Sequence, residues 1–295
     1  MVSLKFAVAA LLFASALLVC AQPNQAHIVV SDIEYCTGAG KPLLMDLFVP
    51  DTLLRKPAPV VIWLDNRREE KTDKADHSAV SLFVDNGFVT ATINYRSSTV
   101  APFPAAVEDC KCAVRFLRAN AVQYGIDPDR IGVAGTSAGG YLALLLATAN
   151  ESAGLEGAGG WDGVSSQVAA ASAWYAPTDF TVAEKSFEHK GSGKFLGVTA
   201  NQKSDIYRKA SPITYVSADS SPILLVHGDH DRVVPFDQSI RLMEAYKKGG
   251  ATAELVKVLG VGHNFQSATR GQLSVDQKEI QARTVEFFRK YLAEK

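Results

Sequence analysis

The sequence carries no excess of charge of either sign: 30 Lys and Arg stand against 31 Asp and Glu, a formal net charge of -1 over 295 residues. Without an overall basic field, nucleic-acid binding loses its main electrostatic term. Cysteine is scarce, four in all. Cys20 falls in the N-terminal leader, and the remaining Cys36, Cys110 and Cys112 are an odd set rather than a disulfide framework. Cys110 and Cys112 lie two apart in a helical pattern, point to different faces and do not pair easily, so these thiols read as buried small hydrophobes. Beyond the leader no apolar run is long enough for stable membrane insertion. There is no internal repeat and no long low-complexity tract, which leaves one domain over 22–295 as the expectation. At 47% hydrophobic and 21% charged residues, the composition is neither disordered nor collagen-like, and the length suffices for a sizeable core.

Met1 to Ala21 reads as a secretory signal peptide: Lys5, an apolar run from Phe6 to Val19, then Cys20-Ala21 before polar Gln22. A membrane anchor would need roughly 20 apolar residues, and this run is shorter. Lipidation at Cys20 is a further alternative, but Leu18-Val19 lacks the small residues expected before it. Cleavage near Ala21 would send the mature chain to a periplasm or an extracellular space.

Short β-rich runs alternate with helical stretches, the pattern of an α/β protein with a mostly parallel sheet. His27–Val30 and Leu43–Val49, separated by Gly38-Ala39-Gly40-Lys41-Pro42, predict an antiparallel hairpin at the start. Pro59–Leu64 and Phe88–Asn94 are near-continuous apolar runs, as expected of strands covered on both faces. A helix is predicted between them around Ala79–Asn86, and another from Pro104 to Tyr124-Gly125 on the stripe Val107, Cys110, Ala113, Val114 and Leu117. Further strands are predicted at Arg130–Ala134, Val168–Tyr175, Pro222–His227 and Ala253–Leu259, with a last helix at Gln277–Leu292. The stretch 176–221, richer in Gly, Ser and Lys, reads as an insertion forming a small cap.

Gly135-Thr136-Ser137-Ala138-Gly139-Gly140 follows a predicted strand and opens a predicted helix. This G-x-S-x-G in a strand-turn-helix setting is a nucleophile elbow, with glycines two residues either side leaving room for a strained serine backbone. The bland alternative is a glycine-rich helix start that packs or binds an anion. A serine hydroxyl needs a base, and the base an acid to orient it, in the order Ser, Asp or Glu, His for this setting. His263, in the glycine loop Gly260-Val261-Gly262-His263 after a strand, is the candidate base, while His230 reads as a surface residue. Asp229 and Asp231 both lie in the loop after Pro222–His227, and spacing does not choose between them. His227, Asp229, His230 and Asp231 also have metal-ligand types, but one contiguous stretch seldom encloses an ion.

With these motifs in view, the sequence resembles the exported α/β-hydrolase esterases of the hormone-sensitive-lipase group, especially the bacterial acetyl/feruloyl esterase-like (BD-FAE-like) enzymes. The resemblance runs over Asn94-Tyr95-Arg96, Ala101–Ala106, Tyr124–Ile131, the elbow, Tyr175–Asp179, Ala210-Ser211-Pro212 and the H-G-x-x-D-x-x-V-P pattern at His227–Pro235. It implies an α/β-hydrolase fold, no cofactor and no metal, and it puts the acid on Asp231, with Asp229 as second choice. Relatives carry His-Gly-Gly-Gly after the strand that here ends at Leu64, and its N–H groups help form the oxyanion hole. This chain instead reads Asp65-Asn66-Arg67-Arg68-Glu69-Glu70-Lys71, without glycine. Losing one oxyanion donor typically costs about 100- to 1,000-fold in rate.

The expectation is a secreted serine carboxylic-ester hydrolase with Ser137, Asp231 and His263 as the triad. Ala138 N–H with Asn66 or Arg67 would form the oxyanion hole. By resemblance, the partner is a small-molecule or carbohydrate ester, such as acetylated or feruloylated polysaccharide. One alternative is a non-catalytic or very slow binding protein on the same fold, because of the glycine-free loop. Another is a peptidase of the same fold, disfavoured because the chain lacks a separate large domain to gate peptides. Acyl and alcohol specificity and oligomeric state are not legible.

Overall fold

The computed structural model describes residues 27–51, 57–64, 77–182, 193, 196–197, 203–267 and 276–293. The predicted signal peptide, Asn66, Arg67 and part of the 176–221 insertion lie outside the described residues. Eight strands, β1 (His27–Gly38), β2 (Lys41–Pro50), β3 (Ala58–Leu64), β4 (Val89–Ile93), β5 (Ile126–Thr136), β6 (Ala170–Trp174), β7 (Ile223–Gly228) and β8 (Ala253–Val258), form one sheet in the order β1-β2-β4-β3-β5-β6-β7-β8. β1 and β2 pair antiparallel, as do β2 and β4, and every pairing from β4/β3 to β7/β8 is parallel. The expected mostly parallel sheet with antiparallel N-terminal strands is therefore what forms. The opening hairpin turns through Ala39 and Gly40, both at positive φ (50° and 74°), the backbone a two-residue turn of matching twist demands.

Helices cover both faces, and the strand alternation shows why. In β3, Val60, Ile62 and Leu64 enter one core while Val61 and Trp63 enter the other. The first core receives α2 (Ala105–Ala119), α4 (Ala138–Thr148) and α6 (Asp237–Gly249), and the second receives α1 (His77–Val84) and α7 (Gln277–Tyr291). The helix predicted to run to Tyr124-Gly125 breaks at Asn120, whose side chain donates to the Phe116 carbonyl (2.9 Å), and resumes as the one-turn α3 (Ala121–Tyr124) before left-handed Gly125. Within the insertion, α5 (Lys203–Ala210) is followed by a short 3-10 turn at Pro212–Tyr215.

The loop after β4 is anchored at its start. Arg96 grips Asp109 of α2 in a bidentate pair (2.6–3.0 Å), and Tyr35 donates its hydroxyl to the Asn94 carbonyl (2.6 Å). The Asn94-Tyr95-Arg96 segment thus links the hairpin, the loop and α2.

The cysteine expectation requires a correction. Cys36 of β1 and Cys112 of α2 form a disulfide, with Cα atoms 6.4 Å apart and a sequence separation of 76. The odd count arises because one thiol is left over: Cys110 is free and fully buried, as a small hydrophobe, and burial pushes its pKa well up. Cys110 and Cys112 do not pair, as expected, since their helix directs them apart. Local spacing carries no information about a partner on a strand brought in by the sheet.

Candidate active site

β5 ends in the predicted elbow. Ser137 has φ 50° and ψ -114°, a conformation an L residue holds only under constraint. The constraint comes from its neighbours: the Ser137 N–H donates to the Trp174 carbonyl at the end of β6 (2.9 Å), and the Ser137 carbonyl accepts from Tyr141 N–H as α4 begins (2.9 Å). The flanking glycines are required sterically. A Cβ on Gly139 would lie 1.9 Å from the Leu64 carbonyl oxygen, and one on Gly135 would lie 2.6 Å from the Gly139 carbonyl carbon. The serine thus stands at the C-terminal edge of the sheet, at the head of α4.

The loops after β7 and β8 bring the other two groups to it. His263 Nε2 lies 3.1 Å from Ser137 Oγ, and its Nδ1 lies 2.7 Å from Asp231 Oδ2. With Nδ1 facing a carboxylate, the imidazole carries its proton there and offers Nε2 to the serine. Asp231 Oδ1 accepts the Val233 and Val234 N–H groups (2.8 and 2.9 Å). Burial disfavours the charged carboxylate, yet hydrogen bonds from His227, His263 and Val234 N–H outweigh it and hold the Asp231 carboxyl well below the usual range.

Asp229 takes a different position. Its Oδ1 accepts the Gly260 N–H (2.8 Å) and meets His230 Nδ1 (2.6 Å) on the outer side of the loop. Together with His230 N–H to the Val261 carbonyl (2.9 Å), it ties the two loops to one another. His230 has a half-exposed side chain, as expected of a surface residue. Of the four residues with metal-ligand types, the Asp229–His230 pair faces outward, away from His227, which lies in the core beside Asp231. Among the described residues, no group of three or more His, Cys, Asp or Glu is placed to hold a metal ion.

An aromatic wall that sequence reasoning did not identify flanks His263. Tyr175 packs edge-on against the imidazole (4.8 Å between centroids) and against Phe265 (4.9 Å), which also meets Trp174 (5.8 Å). Tyr175, Asn264 and Phe265 all have positive φ (42°, 59° and 55°), so non-glycine residues in left-handed backbone surround the site together with Ser137. Ala138 is the first residue of α4, where a helix leaves its N–H groups without intrahelical partners. Asn66 and Arg67 lie outside the described residues.

The profile of the BD-FAE family matches residues 45–246, from the second strand to the helix after the acid loop. The chain belongs to the BD-FAE family. Among curated relatives, Esterase LipQ of Mycobacterium tuberculosis is 32% identical over 251 residues, covering 81% of this chain and 58% of its own length. The chain spans between 45% and 58% of the length of the first three curated relatives it matches. Among solved structures, a truncated carbohydrate esterase from gut microbiota superposes with TM-score 0.77 at 27% identity, covering 90% of this chain and 96% of that one. A bifunctional GH43-CE protein of Bacteroides eggerthii gives TM-score 0.76 at 29% identity over 90% of this chain and 38% of its own. Each of these two structures covers 90% of this chain. Among the described residues, no helix is long and apolar enough to cross a membrane.

Proposed function

We propose that this BD-FAE member is an exported, single-domain serine carboxylic-ester hydrolase that works through an acyl-enzyme. The observation that carries the reading is the continuous hydrogen-bonded line from Ser137 Oγ through His263 to Asp231, built at a strained elbow. In this mechanism His263 Nε2 takes the Ser137 proton as Oγ attacks the ester carbonyl. The imidazolium is held by Asp231 and returns the proton to the leaving alcohol, and water then repeats the sequence to release the acid. Ala138 N–H, with Asn66 or Arg67, stabilises the oxyanion.

The substrate class we assign is an acyl ester of a carbohydrate. Supporting this are the two similar structures described as a carbohydrate esterase and a GH43-CE protein. Export is supported by the N-terminal leader in the sequence and by the Cys36–Cys112 disulfide, a bond that persists in oxidising compartments.

The test is hydrolysis of p-nitrophenyl acetate and butyrate, and of an acetylated oligosaccharide. The mature protein is compared with Ser137→Ala and with a variant carrying Gly at both Asn66 and Arg67. Turnover that vanishes in Ser137→Ala is the expected result. An inert wild type beside an active double-glycine variant would overturn it in favour of a binding protein, and cleavage of peptides without simple esters would favour a peptidase.

A further inference from the structure

The esterase chemistry above makes no use of His227, a fully buried imidazole at the next-to-last position of β7. Burying an imidazole is costly unless both ring nitrogens find partners, and here each does. Nε2 lies 2.9 Å from the Val234 carbonyl oxygen and 3.3 Å from Asp231 Oδ2, while Nδ1 lies 2.7 Å from Ser239 Oγ in the first turn of α6. A carbonyl and a carboxylate only accept, so Nε2 must carry a proton. In the neutral ring Nδ1 then accepts the Ser239 hydroxyl, and the tautomer is dictated from inside the core.

The oxygen that His227 faces is the one that orients His263. Asp231 Oδ2 lies 2.7 Å from His263 Nδ1, and Oδ1 is held by two backbone N–H groups. We propose that His227 is a positioning residue for this reaction: its Nε2–H, shared between the Val234 carbonyl at 2.9 Å and Asp231 Oδ2 at 3.3 Å, holds that carboxylate oxygen from the core side, keeping the remaining lone pair aimed at His263, and Ser239 holds the His227 tautomer. The proposal rests on the serine-esterase reading. Among the described residues, His227 and His263 are the ionisable groups at this carboxylate. Asp229, His230 and Lys257 engage one another on the outer side of the loop, and Asp237 of α6 pairs with Arg241.

The test uses the full chain with His227→Leu, His227→Gln and Ser239→Ala. Its readouts are kcat and KM for p-nitrophenyl acetate across pH, and acid unfolding followed by tryptophan fluorescence without substrate. His227→Leu should lower kcat about tenfold with KM within about twofold, the signature of a lost charge-assisted hydrogen bond felt beyond substrate binding. It should also move acid unfolding to higher pH, because Asp231 loses one of the bonds that keep its carboxyl ionised. His227→Gln, which keeps an N–H near the position of Nε2, should restore most of both, whereas a space-filling role would be served as well by leucine. A folded His227→Leu with wild-type kcat and wild-type acid unfolding overturns the proposal, as does a His227→Gln no better than His227→Leu. If His227→Leu does not fold, Ser239→Ala decides: unchanged kcat and unchanged acid unfolding overturn it. Should wild type show no Ser137-dependent turnover, the esterase reading fails, while the acid-unfolding comparison still tests the pin on Asp231.

Discussion

Gly139→Ala is the substitution whose consequence follows most directly from geometry. Its Cβ would lie 1.9 Å from the Leu64 carbonyl oxygen, 2.7 Å from the Leu64 carbonyl carbon and 3.1 Å from its Cβ. Relief requires a displacement of about 1.5 Å to reach ordinary contact. Neither side yields easily, since Leu64 pairs with Gly135 in the β3/β5 ladder and Gly139 lies in the first turn of α4. Overpacking of this kind costs about 1–3 kcal/mol or more, offset by about 1 kcal/mol for replacing glycine by alanine in a helix. A net loss of up to about 2 kcal/mol lowers Tm by up to about 4–8 °C in a domain of this size. The effect on turnover is larger, because the displaced atoms flank Ser137 and begin the segment expected to supply an oxyanion donor. A misplacement near 1 Å costs about 100-fold in rate.

The assay pairs thermal denaturation with kcat/KM on p-nitrophenyl acetate, beside Gly154→Ala as control. Gly154 has φ 68° with nothing within 4 Å of an added Cβ, so alanine there costs only local strain of about 1–2 kcal/mol. Both variants should lose stability, but only Gly139→Ala should lose activity. Wild-type Tm and activity within a few-fold in Gly139→Ala would refute the close-approach argument.

Further outcomes are expected. Asp231→Asn should reduce kcat by about 10⁴ through loss of the His263 tautomer, whereas Asp229→Asn, which loosens only the loop staple, should cost about tenfold or less; equal losses would show that the acid assignment is wrong. Because the Asp231 carboxyl is held well below its unfolded value, the native state binds fewer protons than the unfolded state in mild acid. Its stabilisation is present above an unfolded pKa of about 3.9 and is lost as pH falls from about 5 through the folded value. Urea midpoints should therefore fall more steeply with acidification in wild type than in Asp231→Asn. Reduction of Cys36–Cys112 should cost about 2–5 kcal/mol, read as a lower Tm in reductant. A Cys36→Ser/Cys112→Ser variant should show the lower Tm without responding to reductant.

The order of elements was legible from sequence because hydrophobic periodicity reports local burial. Val60–Leu64 reads as a doubly covered strand, and the two cores divide its side chains by alternation. The elbow was legible for a steric reason: only glycine fits at 135 and 139, which pack against each other and against Leu64 of β3, so a tertiary contact leaves its mark as two glycines four residues apart. The choice between Asp229 and Asp231 was not. They are two residues apart, and whether a carboxylate meets His263 or Gly260 depends on how the loops after β7 and β8 fold against each other. The Cys36–Cys112 bond, the Tyr175–Phe265 wall and the burial of His227 against Ser239 have the same character. Each joins residues brought together by the sheet, and pairings of that kind leave no periodic trace in the chain. Local pattern thus determined the strands, the helices and the strained serine elbow of this protein. Tertiary structure decided which carboxylate faces His263 and which thiols pair, because those choices depend on distances set only when the whole sheet is assembled.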